Sequence, residues 1–382
     1  MIARRGDRIP PFIVMEVLEK ALQMGRDGHD IIHMEVGEPD FDTPAVIKEA
    51  AAAALSAGKT QYSHSLGVLE LRQAVCDDYR TRYGVEVSPD RVLVTSGTSP
   101  AMLLIFSALL NPGDGIILPD PGYACYPNFI TYVEGVPTYV PVYEDAGFQL
   151  DPDDVKKKLG QNVKAILINS PSNPTGNLLS AERMRELASL GVVVVSDEIY
   201  HGLVYEDREH SILEFTDNAF VMNGFSKRYA MTGWRLGYVI APKRFVRPMQ
   251  KMQQNFFISA NTFVQWAGIA ALTRAEDEVA RMRQTYNERR RYMIDALRGL
   301  GFGITVEPQG AFYVLANAKE FTESSYTFAF EILERAGVGV TPGIDFGKNA
   351  EGYIRFCYAN SLKNIKTAME RIDAFLRTYP CS

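Results

Sequence analysis

A lysine amine attacks carbonyl carbon near neutral pH only where the ammonium form is disfavoured. Lys227 stands in Gly224-Phe-Ser-Lys-Arg-Tyr-Ala-Met-Thr-Gly-Trp-Arg-Leu-Gly237, with a small hydroxyl residue before it and Gly-Trp-Arg closing the stretch at Arg235. Ser226 and Arg235 are the donor types that grip a phosphate, one as a short hydroxyl and the other as a bidentate fork. Thirty residues upstream, Asp197 ends the apolar run Val192-Val-Val-Val-Ser-Asp-Glu-Ile-Tyr200. A carboxylate at the tip of a buried strand is costly unless it meets a positive partner. Taken singly, each island has a plainer reading. Lys227 could be a surface lysine before a strand over Arg235–Ile240, and Asp-Glu could hold Mg²⁺ in a P-loop ATPase, but the chain has no GxxxxGK[ST].

Other islands hold the same kinds of group. In Val94-Thr-Ser-Gly-Thr-Ser-Pro-Ala-Met102 a strand turns into a helix, and Gly97, Thr98 and Ser99 offer free N–H groups to an anion. Simple helix capping would explain the same letters. Asn169-Ser-Pro-Ser-Asn-Pro-Thr-Gly176, directly after a strand, is by itself a Pro/Gly turn. Arg355 lies within Tyr353-Ile-Arg-Phe-Cys-Tyr-Ala-Asn360, an expensive place for a guanidinium unless it holds an anion or an internal salt bridge. Tyr123, after Pro121-Gly122, is either an aromatic wall for a ligand or ordinary core.

The elements that must position these residues read as α/β. Val92–Thr95, Gly115–Leu118, Val163–Asn169, Val192–Ser196 and Ala219–Asn223 are continuous apolar strands, the pattern of a sheet buried on both faces. Helices over Thr98–Leu110, Tyr123–Glu134 and Ala181–Leu190 alternate with them, which predicts a mostly parallel sheet. Ligands bind such sheets outside the carboxyl ends of the strands, where these islands fall. From Lys243 the pattern turns helical, over Lys243–Leu272 and Glu276–Gly299, before strands at Ala311–Ala316 and Gly352–Tyr358. A helix over Ile13–Gly25 and a strand over Ile31–Val36 have no place in the alternation and are expected to pack with the tail. The expected division is an arm over residues 1–44, a large domain over 45–275 and a smaller α+β domain over 276–382 that the arm helps to build.

The formal charge of −6 and pI near 5.6 argue against nucleic acid as partner. No apolar stretch approaches the ~20 residues of a membrane helix, and the charged start lacks the apolar core of a signal peptide. Cys76, Cys125, Cys357 and Cys381 are scattered and form neither a disulfide framework nor a metal-ligand spacing. A cytoplasmic enzyme with reduced thiols and no metal is the expectation.

The Lys227–Arg235 stretch resembles the attachment signature of class I/II aminotransferases, which use pyridoxal 5′-phosphate (PLP). The chain resembles a fold-type I enzyme of the aspartate aminotransferase superfamily over nearly its whole length. That resemblance implies a Schiff base between PLP and Lys227, with Asp197 on the ring nitrogen. It places Tyr200 and Asn173 on the 3′-oxygen and Tyr123 against the ring. Gly97, Thr98, Ser99, Ser226 and Arg235 would take the phosphate, and Arg355 with Asn173 the substrate α-carboxylate. Val36-Gly-Glu-Pro-Asp-Phe-Asp-Thr-Pro44 resembles a family segment in which Gly37 lets the backbone approach the substrate. Tyr62 matches a tyrosine that reaches the neighbouring subunit's cofactor, which implies a homodimer with shared active sites. Glu198 is expected to be structural, and the Asn173–Pro174 and Asp120–Pro121 bonds to be cis.

The implied activity is ping-pong transfer of an amino group between an L-amino acid and a 2-oxo acid, with Lys227 as general base. The apolar stretch Pro11-Phe-Ile-Val favours neutral or aromatic side chains and leaves aspartate open. A PLP lyase, such as a cysteine-S-conjugate β-lyase, would use the same lysine, aspartate and arginine. A PLP-sensing regulator would carry a DNA-binding domain, and only about ten residues precede the helix at Ile13. A nicotinamide-dependent dehydrogenase would need GxGxxG after a strand, which is missing.

Overall fold

The computed structural model describes residues 3–379; Cys381 lies outside them. Strand β1 (Ile32–His33) precedes seven strands that form the central sheet. These are β2 (Val92–Thr95), β3 (Gly115–Asp120), β4 (Val136–Pro141), β5 (Val163–Asn169), β6 (Val193–Asp197), β7 (Ala219–Gly224) and β8 (Gly237–Ile240). Their order is β2-β8-β7-β6-β5-β3-β4, and only β8 runs antiparallel to its neighbours.

Side chains along each strand alternate between two apolar layers, so both faces are covered. Ile166, Ile168, Val194 and Val221 join one core with Leu71, Val75 and Tyr79 of the helix Leu69–Tyr83. Ala165, Leu167, Val193, Val195 and Phe220 join the other with Ile105 and Phe106 of the helix Thr98–Leu109. That is why the central strands carry no polar alternation. The exception is β4 at the sheet edge, where Val136 and Tyr139 stay exposed and two prolines sit in the strand.

A second sheet, β11 (Thr341–Pro342), β12 (Tyr353–Cys357) and β9 (Tyr313–Asn317), is antiparallel. Strand β1 pairs in parallel with β10 (Val338–Gly339), so the N-terminal segment is tied to the C-terminal third. The N–H groups of Ile13 and Val14 donate to Asp345 at 3.0 and 3.3 Å, which fixes the start of the helix Ile13–Arg26 on the same part.

Two expected elements differ, and one observed strand was not expected. The helix over Lys243–Leu272 is two, Lys243–Phe256 and Thr262–Arg274, because Ile258 between them takes a positive φ of 64°. The helix expected from Tyr123 begins at Tyr126, since Tyr123 forms the turn whose carbonyl accepts the Tyr126 N–H. Strand β4 was not anticipated from its proline-bearing sequence. Cys76, Cys125 and Cys357 are free thiols, and among the described residues no helix is long and apolar enough to cross a membrane.

Candidate active site

Strands β2, β5, β6 and β7 end at one cavity of about 340 Å³, which β9 and β12 close from the other side. Eleven of the thirteen residues singled out in the sequence line it: Gly37, Thr98, Ser99, Tyr123, Asn173, Asp197, Tyr200, Ser226, Lys227, Arg235 and Arg355. Gly97 adjoins it. Tyr62 does not belong to the cavity of its own chain and is 81% exposed.

At one end the turn after β2 meets Arg235. Gly97 has φ +96°, and a Cβ there would lie 2.8 Å from the Arg235 Nη2 atom. Glycine is therefore required both by its backbone and by the guanidinium. Arg235 donates through Nη1 to the Thr232 carbonyl at 2.9 Å and is otherwise exposed, beside Ser226 and the N-terminus of the helix Thr98–Leu109. This is a compact set of hydrogen-bond donors of the kind that binds an anion.

Asp197 ends β6 and is buried. Its Oδ2 accepts the Tyr126 hydroxyl at 2.7 Å and its Oδ1 the Ile199 N–H at 3.1 Å. Both donors favour the carboxylate, yet burial outweighs them and pushes the carboxyl up to about 6. Asn169 steadies the neighbourhood: its Nδ2 donates to the Asp197 carbonyl at 2.9 Å and its Oδ1 accepts the Asn173 N–H at 2.8 Å. Glu198, next in sequence, faces away and accepts from Tyr79, Ser211 and the Ile212 N–H at 2.9–3.1 Å.

Lys227 reaches across the cavity, where its Nζ donates to the Gly37 carbonyl at 2.6 Å. Burial pulls its amine down to about 8, and the Arg355 and Arg235 charges push the same way, against the influence of Cys357 and Glu38. A Cβ on Gly37 would fall 1.7 Å from the Tyr313 hydroxyl, so the glycine makes room for that ring. The Tyr313 and Tyr200 hydroxyls are 2.8 Å apart.

Arg355 is 3% exposed in β12, and all of its partners are uncharged. Nη1 donates to Asn173 Oδ1 at 2.9 Å, and Nη2 to the Glu35 carbonyl and to Thr341 Oγ1. Nε has no partner. The guanidinium lies between the rings of Tyr313 and Phe346, 4.3 and 4.8 Å from their centroids. A rigid cation held by neutral groups at the edge of a cavity awaits an anion. The Asp120–Pro121 and Asn173–Pro174 bonds are cis, as is Ser170–Pro171.

Tyr126, Tyr313, Asn169 and Thr341 were not singled out in the sequence. Tyr126 had one usable signal: it lies three residues after Tyr123, a spacing that one helical turn brings together, and their rings meet edge to face at 5.2 Å. Tyr313 had none.

A lysine, a buried acid and two arginines, none of them in an ion pair among the described residues, thus surround one cavity at the strand tips. The chain belongs to the family "Aminotransferase class I and II", which matches residues 29–372, and it is a transaminase. It is 39% identical to the aspartate aminotransferase of Pyrococcus horikoshii, over 98% of this chain and 97% of that protein. It is 38% identical to the (5-formylfuran-3-yl)methyl phosphate transaminase of Methanocaldococcus jannaschii, over 98% of this chain and all of that protein. The structure of Thermus thermophilus aspartate aminotransferase with maleate superposes with a TM-score of 0.94 at 37% identity, covering 98% of this chain and 99% of that one.

Proposed function

We propose that this transaminase works with PLP in the cavity described above, moving an amino group from an L-amino acid to a 2-oxo acid. The observation that carries this reading is the convergence of Lys227, Asp197, Arg235 and Arg355 on one cavity, none of them in an ion pair among the described residues. The residues fit the cofactor. Gly97, Thr98, Ser99, Ser226 and Arg235 would hold the phosphate, and Asp197 would keep a proton on the ring nitrogen. Tyr200 and Asn173 would meet the 3′-oxygen, with Tyr123 against the ring face. When bound, PLP supplies an electron sink for the pair left on the substrate carbon.

The chain's own groups do the rest. Arg355 and Asn173 orient the α-carboxylate, and this fixes which bond at Cα stands ready to break. Lys227, the covalent anchor, takes the Cα proton with an amine near 8, close enough to neutrality for general-base work. Tyr313 and Phe346 hold the Arg355 guanidinium in place.

We further propose a cytoplasmic homodimer. Tyr62 does not line its own chain's cavity, and its exposed ring is available to a neighbouring subunit's phosphate. The division into residues 1–44, 45–275 and 276–382 belongs to the same reading, with Gly37, Lys227 and Arg355 coming one from each part. The test is a half-reaction. Addition of an amino acid without acceptor should convert one equivalent of bound PLP to its amine form, and a 2-oxo acid should restore it. Release of pyruvate and ammonia without acceptor would favour the lyase instead, and Lys227→Ala that keeps the absorbance of lysine-bound cofactor would overturn the assignment.

A further inference from the structure

Three cations line the catalytic cavity, Lys227, Arg235 and Arg355, and the proposed function uses all three. The carboxylates on its wall are Asp197 and Glu38, and Glu38 accepts a hydrogen bond from Thr232 at the mouth. The rest of the wall toward the N-terminal arm is Phe12, Val14, Met15 and Val36. A substrate's second carboxylate would lose water there and meet no countercharge among the described residues of its own chain.

A second cavity, of about 600 Å³, lies beside the first and shares Phe12, Tyr123 and Tyr126 with it. The Phe12 and Tyr123 rings meet edge to face at 6.1 Å and form the partition. Beyond it the wall includes Pro10, Pro11, Ile13, Leu118 and Phe346. Both carboxylates on this side are engaged by backbone: Asp345 by Ile13 and Val14, Asp120 by the Asn349 N–H at 3.2 Å. The cations Arg8 and Lys348 are solvent-exposed. Phe12 immediately precedes the helix that Asp345 pins, so its ring is held at the boundary between the two spaces.

We infer that the second cavity is a subsite for the donor's side chain, that it takes uncharged bulky groups, aromatic ones above all, and that Phe12 sets the size admitted. This rests on the proposed function and names the substrate class of that same site. The inner cavity must hold both cofactor and substrate backbone, so a large side chain needs a neighbouring space. The one past Phe12 keeps its carboxylates engaged by backbone, whereas the one that shares Glu38 and Thr232 with the inner cavity carries the carboxylates of Glu38 and Asp42 on its wall. Removing that ring joins the two cavities.

The experiment measures single-turnover conversion of the PLP-loaded enzyme with alanine, aspartate, phenylalanine and tryptophan. Unaltered enzyme should prefer phenylalanine to aspartate at least tenfold. Phe12→Ala should raise the tryptophan-to-alanine ratio at least tenfold and leave the aspartate-to-alanine ratio where it was. Thr131→Trp, which fills the outer cavity alone, should cancel that gain when combined with Phe12→Ala. Faster turnover of aspartate than phenylalanine by the unaltered enzyme overturns the inference. So does an unmoved tryptophan-to-alanine ratio in a Phe12→Ala protein that keeps the absorbance of bound cofactor. If Phe12→Ala does not retain cofactor, Phe12→Leu is read by the same criterion. Either failure leaves turnover of alanine or aspartate intact, whereas no half-reaction with any donor overturns the transaminase reading as well.

Discussion

The Tyr126 hydroxyl donates to Oδ2 of Asp197 across 2.7 Å, with both side chains buried. The bond is neutral on its donor side, so it orients the acid without supplying the positive charge that burial demands. In the cofactor-free protein the Asp197 carboxyl is consequently raised to about 6.

For an acid whose folded pKa is raised, the stabilising contribution is complete below the unfolded value near 4 and is lost as pH climbs through about 6. Two units correspond to roughly 3 kcal/mol. Thermal melts of cofactor-free protein should show Asp197→Asn equal to the parent at pH 4 and more stable at pH 7.5. Tyr126→Phe, which removes a donor to the carboxylate, should push the upper end of that window above 6. Parallel melting curves for parent and Asp197→Asn at both pH values would count against the buried, unpaired acid.

Lys227 carries the opposite sign. Its amine is lowered to about 8, so the neutral form, the one that attacks a carbonyl, grows across the range just below that value. The rate of PLP uptake should rise roughly fivefold from pH 7 to pH 8 and level off above pH 9. Stopped-flow absorbance measures it, and Lys227→Ala should lack the step.

Arg355→Lys keeps the charge and loses the fork. The expected result is a rise of roughly thirty- to hundredfold in KM for the amino donor, about 2–3 kcal/mol, with PLP affinity unchanged. Equal losses of PLP affinity and of donor affinity would show that Arg355 supports the cavity as a whole.

Gly97→Ala should weaken PLP binding about tenfold or more, because φ +96° strains any side chain and the new Cβ would press on Arg235. Equilibrium dialysis reads the affinity. An unchanged value would mean that the Gly97–Arg235 contact has no part in holding the phosphate.

Much of this was legible in the sequence because buried strands announce themselves by unbroken apolar runs. Asp197 and Arg355 stand out as charges at or inside such runs, and Lys227 by the hydroxyl residue before it and the Gly-Trp-Arg after it. The broken helix after Lys243 was not legible: the break at Ile258 contains neither glycine nor proline, and a positive φ at a β-branched residue has no local sequence signal. Tyr126 and Tyr313 escaped notice for a different reason. Tyrosine is common in cores, and their partners Asp197 and Tyr200 lie 71 and 113 residues away, a pairing with no local signature.

Strand β8 runs against its neighbours, and its first residue, Gly237, pairs with Thr95 at the end of β2. A Cβ on Gly237 would lie 2.9 Å from the Gly97 carbonyl carbon, so the two chain segments touch. Arg235 and Gly97 each sit two positions outside that rung. Their spacing is thus dictated by a backbone ladder and arrives with folding, before any ligand. Arg235 itself lies just outside the strand, with a positive φ of 53°. A change that shifts that rung would part the Arg235 guanidinium from the turn at Gly97, and with it the proposed grip on the phosphate.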